Sequence, residues 1–258
     1  MAVEAKGAAP LSKFTLLVLA LSLPFWMVGG RVPPERMPFG LPISALMAIN
    51  PMIAALILAR RQRGAALIRR PLHDGRRLTP IAYALSLLLM PAVVWSAYGL
   101  RAALPGGTPN AHINLRLLPL MAAVFVAFAY AEEIGWQGYL AEPLNKRWGV
   151  VGTSTVIGTI WAAWHIIPYL QMGRSVDWIA WQCAYTIALR IVIGAIYART
   201  GGSLAAAIAV HASSNSAVFL IPNDGSGYDP LLSALIAFAA AGALIAGQRQ
   251  ADHSHRLV

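Results

Sequence analysis

Residues 116–141 read RLLPLMAAVFVAFAYAEEIGWQGYLA, and this stretch decides the fold. It is apolar for longer than the roughly 20 residues that a helix needs to cross a hydrocarbon layer, yet it holds two adjacent carboxylates, Glu132 and Glu133. Working outward in windows of about 19 residues, comparable apolar runs stand at 14–30, 41–59, 79–100, 152–170, 177–198, 203–221 and 230–247. The chain is therefore expected to be an all-α, polytopic transmembrane helical bundle of about eight spans. Helices are required because hydrocarbon gives backbone N–H and C=O groups no water to bond, and no alternating ten-residue pattern supports a barrel.

Composition agrees. Of 258 residues, 58% are apolar and 12% are charged, against about 25% charged in a soluble domain, which excludes an ordinary water-soluble enzyme. The formal charge of +10 would suggest nucleic acid as the partner of a soluble protein. Here the cations lie between apolar runs, so the lipid bilayer is the expected partner and nucleic acid is not. Arg60, Arg61, Arg63, Arg69, Arg70, Arg76 and Arg77 face one acid, Asp74, between the second and third runs, which marks a cytoplasmic loop. Alternation then puts both termini in the cytoplasm, together with Lys146, Arg147 and Arg199. The Ala- and Arg-rich composition points to a bacterial inner membrane. The first run follows Lys6 and Lys13 as a signal peptide would, but it lacks a small-x-small cleavage pattern and continues through Phe25 and Trp26, so it reads as a span. With no linker, repeat or soluble segment long enough to fold alone, residues 1–258 read as one integral membrane domain. Cys183 is the single cysteine and can form neither an internal disulfide nor a thiolate metal site.

Ionisable groups inside spans are costly and usually face a cavity or a partner. Besides the glutamate pair, His165 lies in the fifth run and His211 in the seventh, whereas His73, His112, His253 and His255 fall in loops or the tail. Asn215 follows His211 by four residues and shares its helix face. At 1.5 Å per residue, Glu132 lies about 15 Å from Glu142, His211 about 12 Å from Ser203 and His165 about 18 Å from Thr153. One slab on the cytoplasmic side of the midplane would hold all three. Pro168 loosens the helix beside His165, since it cannot bond the carbonyl of Trp164.

These residues resemble the CPBP group of intramembrane proteases, which includes the type II CAAX prenyl proteases and bacteriocin-processing or immunity proteins. The Glu-Glu-x-x-x-Arg motif of that family is matched by Glu132-Glu133-Ile-Gly-Trp-Gln137, with Gln for Arg. Its Phe-x-x-x-His is matched by Trp161-Ala-Ala-Trp-His165, with Trp for Phe. Its His-x-x-x-Asn is matched in full by His211-Ala-Ser-Ser-Asn215, after a similar lead-in at Arg199-Thr-Gly-Gly-Ser-Leu204. The similarity spans about residues 115–220. It implies an endopeptidase acting on a membrane-associated peptide or protein that enters from the cytoplasmic side. It further implies Glu132 as the base that deprotonates water, His165 as a holder of that water, and His211 and Asn215 as donors to the oxyanion.

Glu133 sits about 100° around the helix from Glu132 and aligns with Gln137 at i+4, which suits it to orienting structure. Because Gln137 carries no charge, Arg190 in the sixth run is a candidate replacement for the motif arginine; the alternative is an arginine snorkelling to the inner interface. Trp136, Trp161 and Trp164 are expected either as site walls or as packing. A zinc-dependent variant would use His165, His211 and Glu132 as ligands, but the spans lack His-Glu-x-x-His, so no cofactor is expected. A proton-coupled transporter and a catalytically silent scaffold held together by interhelical hydrogen bonds are the alternatives from other classes.

Overall fold

The computed structural model describes residues 5–37, 41–59, 61–105, 113, 115–222, 225 and 227–256. Arg60 and His112 lie outside them. Among the described residues the regular structure is helical, in the order α1 (Ala5–Gly29), a 3-10 stretch (Ile43–Ile49), α2 (Asn50–Leu58), α3 (Arg61–Asp74) and α4 (Pro80–Ala103). Then follow α5 (Leu118–Glu133), a π-helical stretch (Ile134–Ala141), α6 (Glu142–Gln171), α7 (Val176–Arg199), α8 (Leu204–Phe219) and α9 (Pro230–Arg256). The chain is an integral membrane helical bundle. Large apolar side chains such as Leu16, Ile81 and Leu88 stay exposed on its flanks, as a lipid-facing surface requires.

The segments Leu11–Gly29, Pro80–Ala103, Leu118–Gln171, Val176–Arg199 and Pro230–Gln248 are long and apolar enough to cross a bilayer. Leu118–Gln171 has 54 residues, about 80 Å of helix and enough for two crossings. The break comes at Gly149, whose φ of 65° and ψ of 177° no residue with a Cβ adopts cheaply. The expected spans 116–141 and 152–170 are thus parts of one nearly continuous helical run, and residues 142–148 are helix where a loop was expected. The expected span 41–59 divides into a 3-10 stretch and a short helix at Asn50–Pro51, since proline has no N–H to continue the ladder. Residues 61–74, expected as a loop, form α3.

Polar ties define two ends of the bundle. At one end Arg70 donates to the Tyr197 hydroxyl (3.0 Å) and to the Gly202 carbonyl (2.5 Å), while Asp74 accepts from the Leu204 N–H (3.2 Å). Arg199 also donates to the Leu244 carbonyl (2.6 Å), so α3, α7, α8 and α9 meet there. At the other end Gln171 donates to the Trp26 carbonyl (2.8 Å) and Arg101 pairs with Asp229 (3.8 Å), joining α1 to α6 and α4 to the start of α9.

Within the core α6 packs against α7 at short range. A Cβ at Gly158 would stand 3.1 Å from Arg190 Cβ and from Ile187 Cα, so glycine there lets α7 bring Arg190 against α6. A neutral polar knot ties α1, α2 and α6: Ser22 donates to the Val18 carbonyl (2.7 Å) and accepts from Asn50 Nδ2 (3.0 Å) and Trp164 Nε1 (2.8 Å). Trp136 is fully buried, edge-on to Trp164 at 5.9 Å and to Phe14 at 5.2 Å.

Candidate active site

The two glutamates close α5 and turn to different partners. Glu132 Oε2 accepts the indole N–H of Trp161 at 2.6 Å. Glu133 is completely buried; its Oε2 accepts from Arg190 Nη1 at 2.7 Å and its Oε1 pairs with His211 Nδ1 at 2.9 Å. Divergence of adjacent side chains follows from helical geometry, in which neighbours point about 100° apart. The expected i, i+4 alignment of Glu133 with Gln137 gives way to another arrangement. The helix adopts π spacing from Ile134, so Gln137 is displaced around the axis and lies buried in that stretch.

Arg190 is fully buried and faces the bundle interior, not lipid or the inner interface. Besides its pair with Glu133, its guanidinium lies 4.2 Å from the Trp161 ring centroid, a cation–π contact in a desolvated position. A buried ion pair is costly to leave incomplete, and here one arginine compensates one carboxylate while the indole face offsets part of its lost hydration. Arg190 Nε and Nη2 have no hydrogen-bond partner among the described residues.

Trp161 connects the separate parts. Its ring centroid lies 5.6 Å from that of His165 and 5.0 Å from that of His211. The two imidazoles therefore flank an indole that is itself bonded to Glu132. The sequence left Trp161 open between wall and packing; the replacement of the motif phenylalanine by a residue with an N–H was the signal of this contact. Trp136 and Trp164 belong to the packed core instead.

Hydrogen-bond direction assigns the imidazole nitrogens. His165 Nδ1 stands 2.8 Å from the Trp161 carbonyl, which can only accept, so Nδ1 carries hydrogen and Nε2 is left for the cavity. His211 Nδ1 faces the Glu133 carboxylate in the same way, leaving its own Nε2 free. Asn215 is partly exposed, and its side chain has no partner among the described residues.

Glu132, His165, His211 and Asn215 all line one cavity of about 650 Å³. Glu133, Gln137 and Arg190 do not line it; they stand behind that wall. Pro168, singled out in the sequence beside His165, also contributes to the lining, as do Tyr169, Tyr185 and Tyr228, which no motif in the sequence announces. The cavity runs from the polar groups toward Leu41, Met172, Arg174, Trp178, Gly225 and Tyr228, at the end opposite the Arg70–Tyr197 tie. At the opposite, cation-rich end Arg70, Asp74 and Arg199 bind the helices together. Among the described residues no three His, Cys, Asp or Glu side chains are grouped as a metal-ligand set.

Residues 114–217 match the family model described as type II CAAX prenyl endopeptidase Rce1-like. A curated relative, CAAX prenyl protease 2 of Methanococcus maripaludis, is 27% identical over 94 residues, which are 34% of this chain and 34% of that protein. The similarity thus spans about a third of the length of the relative. Every motif residue described above, and Arg190, falls between residues 114 and 217, so the similarity to CAAX-type proteases rests on the segment that holds the candidate site.

Proposed function

We propose that this protein is an intramembrane endopeptidase that hydrolyses a peptide bond in a membrane-associated peptide or protein, with a water activated by Glu132. The observation that carries this reading is that four hydrogen-bonding side chains from three helices line one cavity, braced from behind by the Glu133–Arg190 pair. Glu132, oriented by the Trp161 N–H at one oxygen, takes a proton from water. His165 Nε2 accepts from the same water and aims it. The hydroxide forms the new C–O bond, and the charge moves to the carbonyl oxygen, where the Asn215 amide and the His211 ring stabilise it. With His211 as imidazolium, its Nδ1 stays on Glu133 and its Nε2–H becomes the second donor. The proton held by Glu132 then passes to the leaving nitrogen as the C–N bond breaks, which restores the carboxylate.

The reaction so written uses no metal. The protein resides, in this reading, in a cytoplasmic membrane with both termini on the cytoplasmic side. Purified protein in lipid nanodiscs, assayed against a library of membrane-segment peptides, tests the proposal. Wild type cleaves, and Glu132→Gln and His165→Ala lose cleavage about 100-fold or more. Equal cleavage by all three removes the assignment. Loss of activity with a chelator and its return with Zn²⁺ would replace the metal-free step by a metal-bound water.

A further inference from the structure

The cavity has one direction, and the charge on the chain gives that direction a side. Its floor is the polar group at Glu132 and His211, and its far rim is Arg174, Trp178, Gly225 and Tyr228. No lining residue comes from α3, from the start of α4 or from the α7–α8 turn. Those elements form the closed end, where Arg63, Arg70, Arg76, Arg77, Lys146 and Arg199 accumulate. Among the described Lys and Arg residues, Arg31, Arg36, Arg101, Arg116 and Arg174 belong to the rim end, and Arg101 there is paired with Asp229. Short loops rich in Lys and Arg are retained in the cytoplasm, so the rim end is the one translocated.

We infer that the cavity is entered from the extracytoplasmic side of the membrane, and that its substrate is an extended, mainly apolar segment of a peptide or membrane protein presented on that side. The substrate part of this inference rests on the protease reading; the sidedness does not. A volume of about 650 Å³ admits several side chains of an unfolded segment but no folded domain. The walls match such a segment: Phe125, Phe219, Tyr169 and Trp178 are apolar or aromatic along the way to the floor. At the rim the exposed Arg174 stacks on Trp178 at 4.9 Å and presents a guanidinium to anything that enters. A prenylated tail offered from the cytoplasm would meet the closed end.

Accessibility labelling tests the side directly. In a Cys183→Ala background, Arg174→Cys and Arg76→Cys are treated with a membrane-impermeant maleimide in right-side-out and in inverted membrane vesicles. Arg174→Cys is expected to label at least tenfold faster in right-side-out vesicles, and Arg76→Cys at least tenfold faster in inverted ones. Asp177→Cys, also exposed at the rim, repeats the first arm should Arg174→Cys not accumulate. The opposite pattern overturns the inference. A cleavable apolar peptide is then supplied from one side or the other of proteoliposomes whose orientation the labels report. Cleavage only from the Arg174 side is the expected result. Cleavage only from the Arg76 side overturns the access route while leaving the protease intact. Cleavage from neither side overturns the protease reading and the substrate class, while the labels still give the side of the rim.

Discussion

Two tryptophans one turn apart on α6 donate their indole N–H groups to two different buried polar clusters. Trp164 joins the neutral knot of Ser22 and Asn50, and Trp161 joins the charged group of Glu132, Glu133, Arg190 and His211. The knot closes on itself: Ser22 accepts twice and donates once, and none of its members faces the large cavity. The charged group does not close. Arg190 keeps two nitrogens without partners among the described residues, and Glu132, His211 and their neighbour Asn215 open on the cavity. A polar cluster that serves packing satisfies its own members. One that leaves capacity at a cavity wall, at the expense of stability, is built for something that arrives later.

The difference can be broken at several points. Arg190→Leu should have the largest effect, because it strands the Glu133 carboxylate in the core; a loss of about 3–5 kcal/mol is expected in unfolding by detergent titration. Adding Glu133→Gln should recover much of that stability and none of the cleavage. If Arg190→Leu alone leaves the unfolding midpoint unchanged, the ion pair is not the brace it is taken to be. Asn215→Ala should leave stability alone and lower kcat/KM by about 100- to 1,000-fold, as removal of an oxyanion donor does.

The two tryptophans sharpen the comparison further. Trp161→Phe restores the phenylalanine of the family motif but deletes the N–H on Glu132, a hydrogen bond to a charged group worth about 1.5–3 kcal/mol. A fall in kcat/KM of at least tenfold is expected, and Trp164→Phe should not reproduce it. The smallest effect belongs to Asn50→Ala, with about 1 kcal/mol of stability lost and cleavage unaltered. Were Asn50→Ala to impair cleavage as much as Asn215→Ala, the division between a packing cluster and a reactive one would collapse.

Much of this was legible in the residues. Glu132, Glu133, His165 and His211 stand out because charge and imidazole are conspicuous in apolar runs, and Asn215 because it shares a face with His211. Arg190 was visible for the same reason, though its two possible directions, inward to the carboxylates or along the helix to the interface, look alike in one dimension. The Ser22–Asn50–Trp164 knot was not visible at all, since serine, asparagine and tryptophan are unremarkable in a membrane helix until their partners are known. The π spacing after Glu133 was hidden for a related reason. Local composition there is helical, and only packing against α2 and α6 decides which helical hydrogen-bond pattern prevails.

Composition and hydrophobic run length by themselves determined a helical membrane bundle, because a backbone in hydrocarbon has almost no other way to satisfy its hydrogen bonds. Cation placement and motif spacing determined in the same way which end carries the positive charge and which residues bear the polar groups. Only the tertiary structure decided that Arg190 meets Glu133, that Trp161 holds Glu132, and toward which end the cavity runs. Those are relations between helices distant in the chain, set by which small residues let α6 and α7 approach and by which ends are tied shut, and no local pattern encodes them.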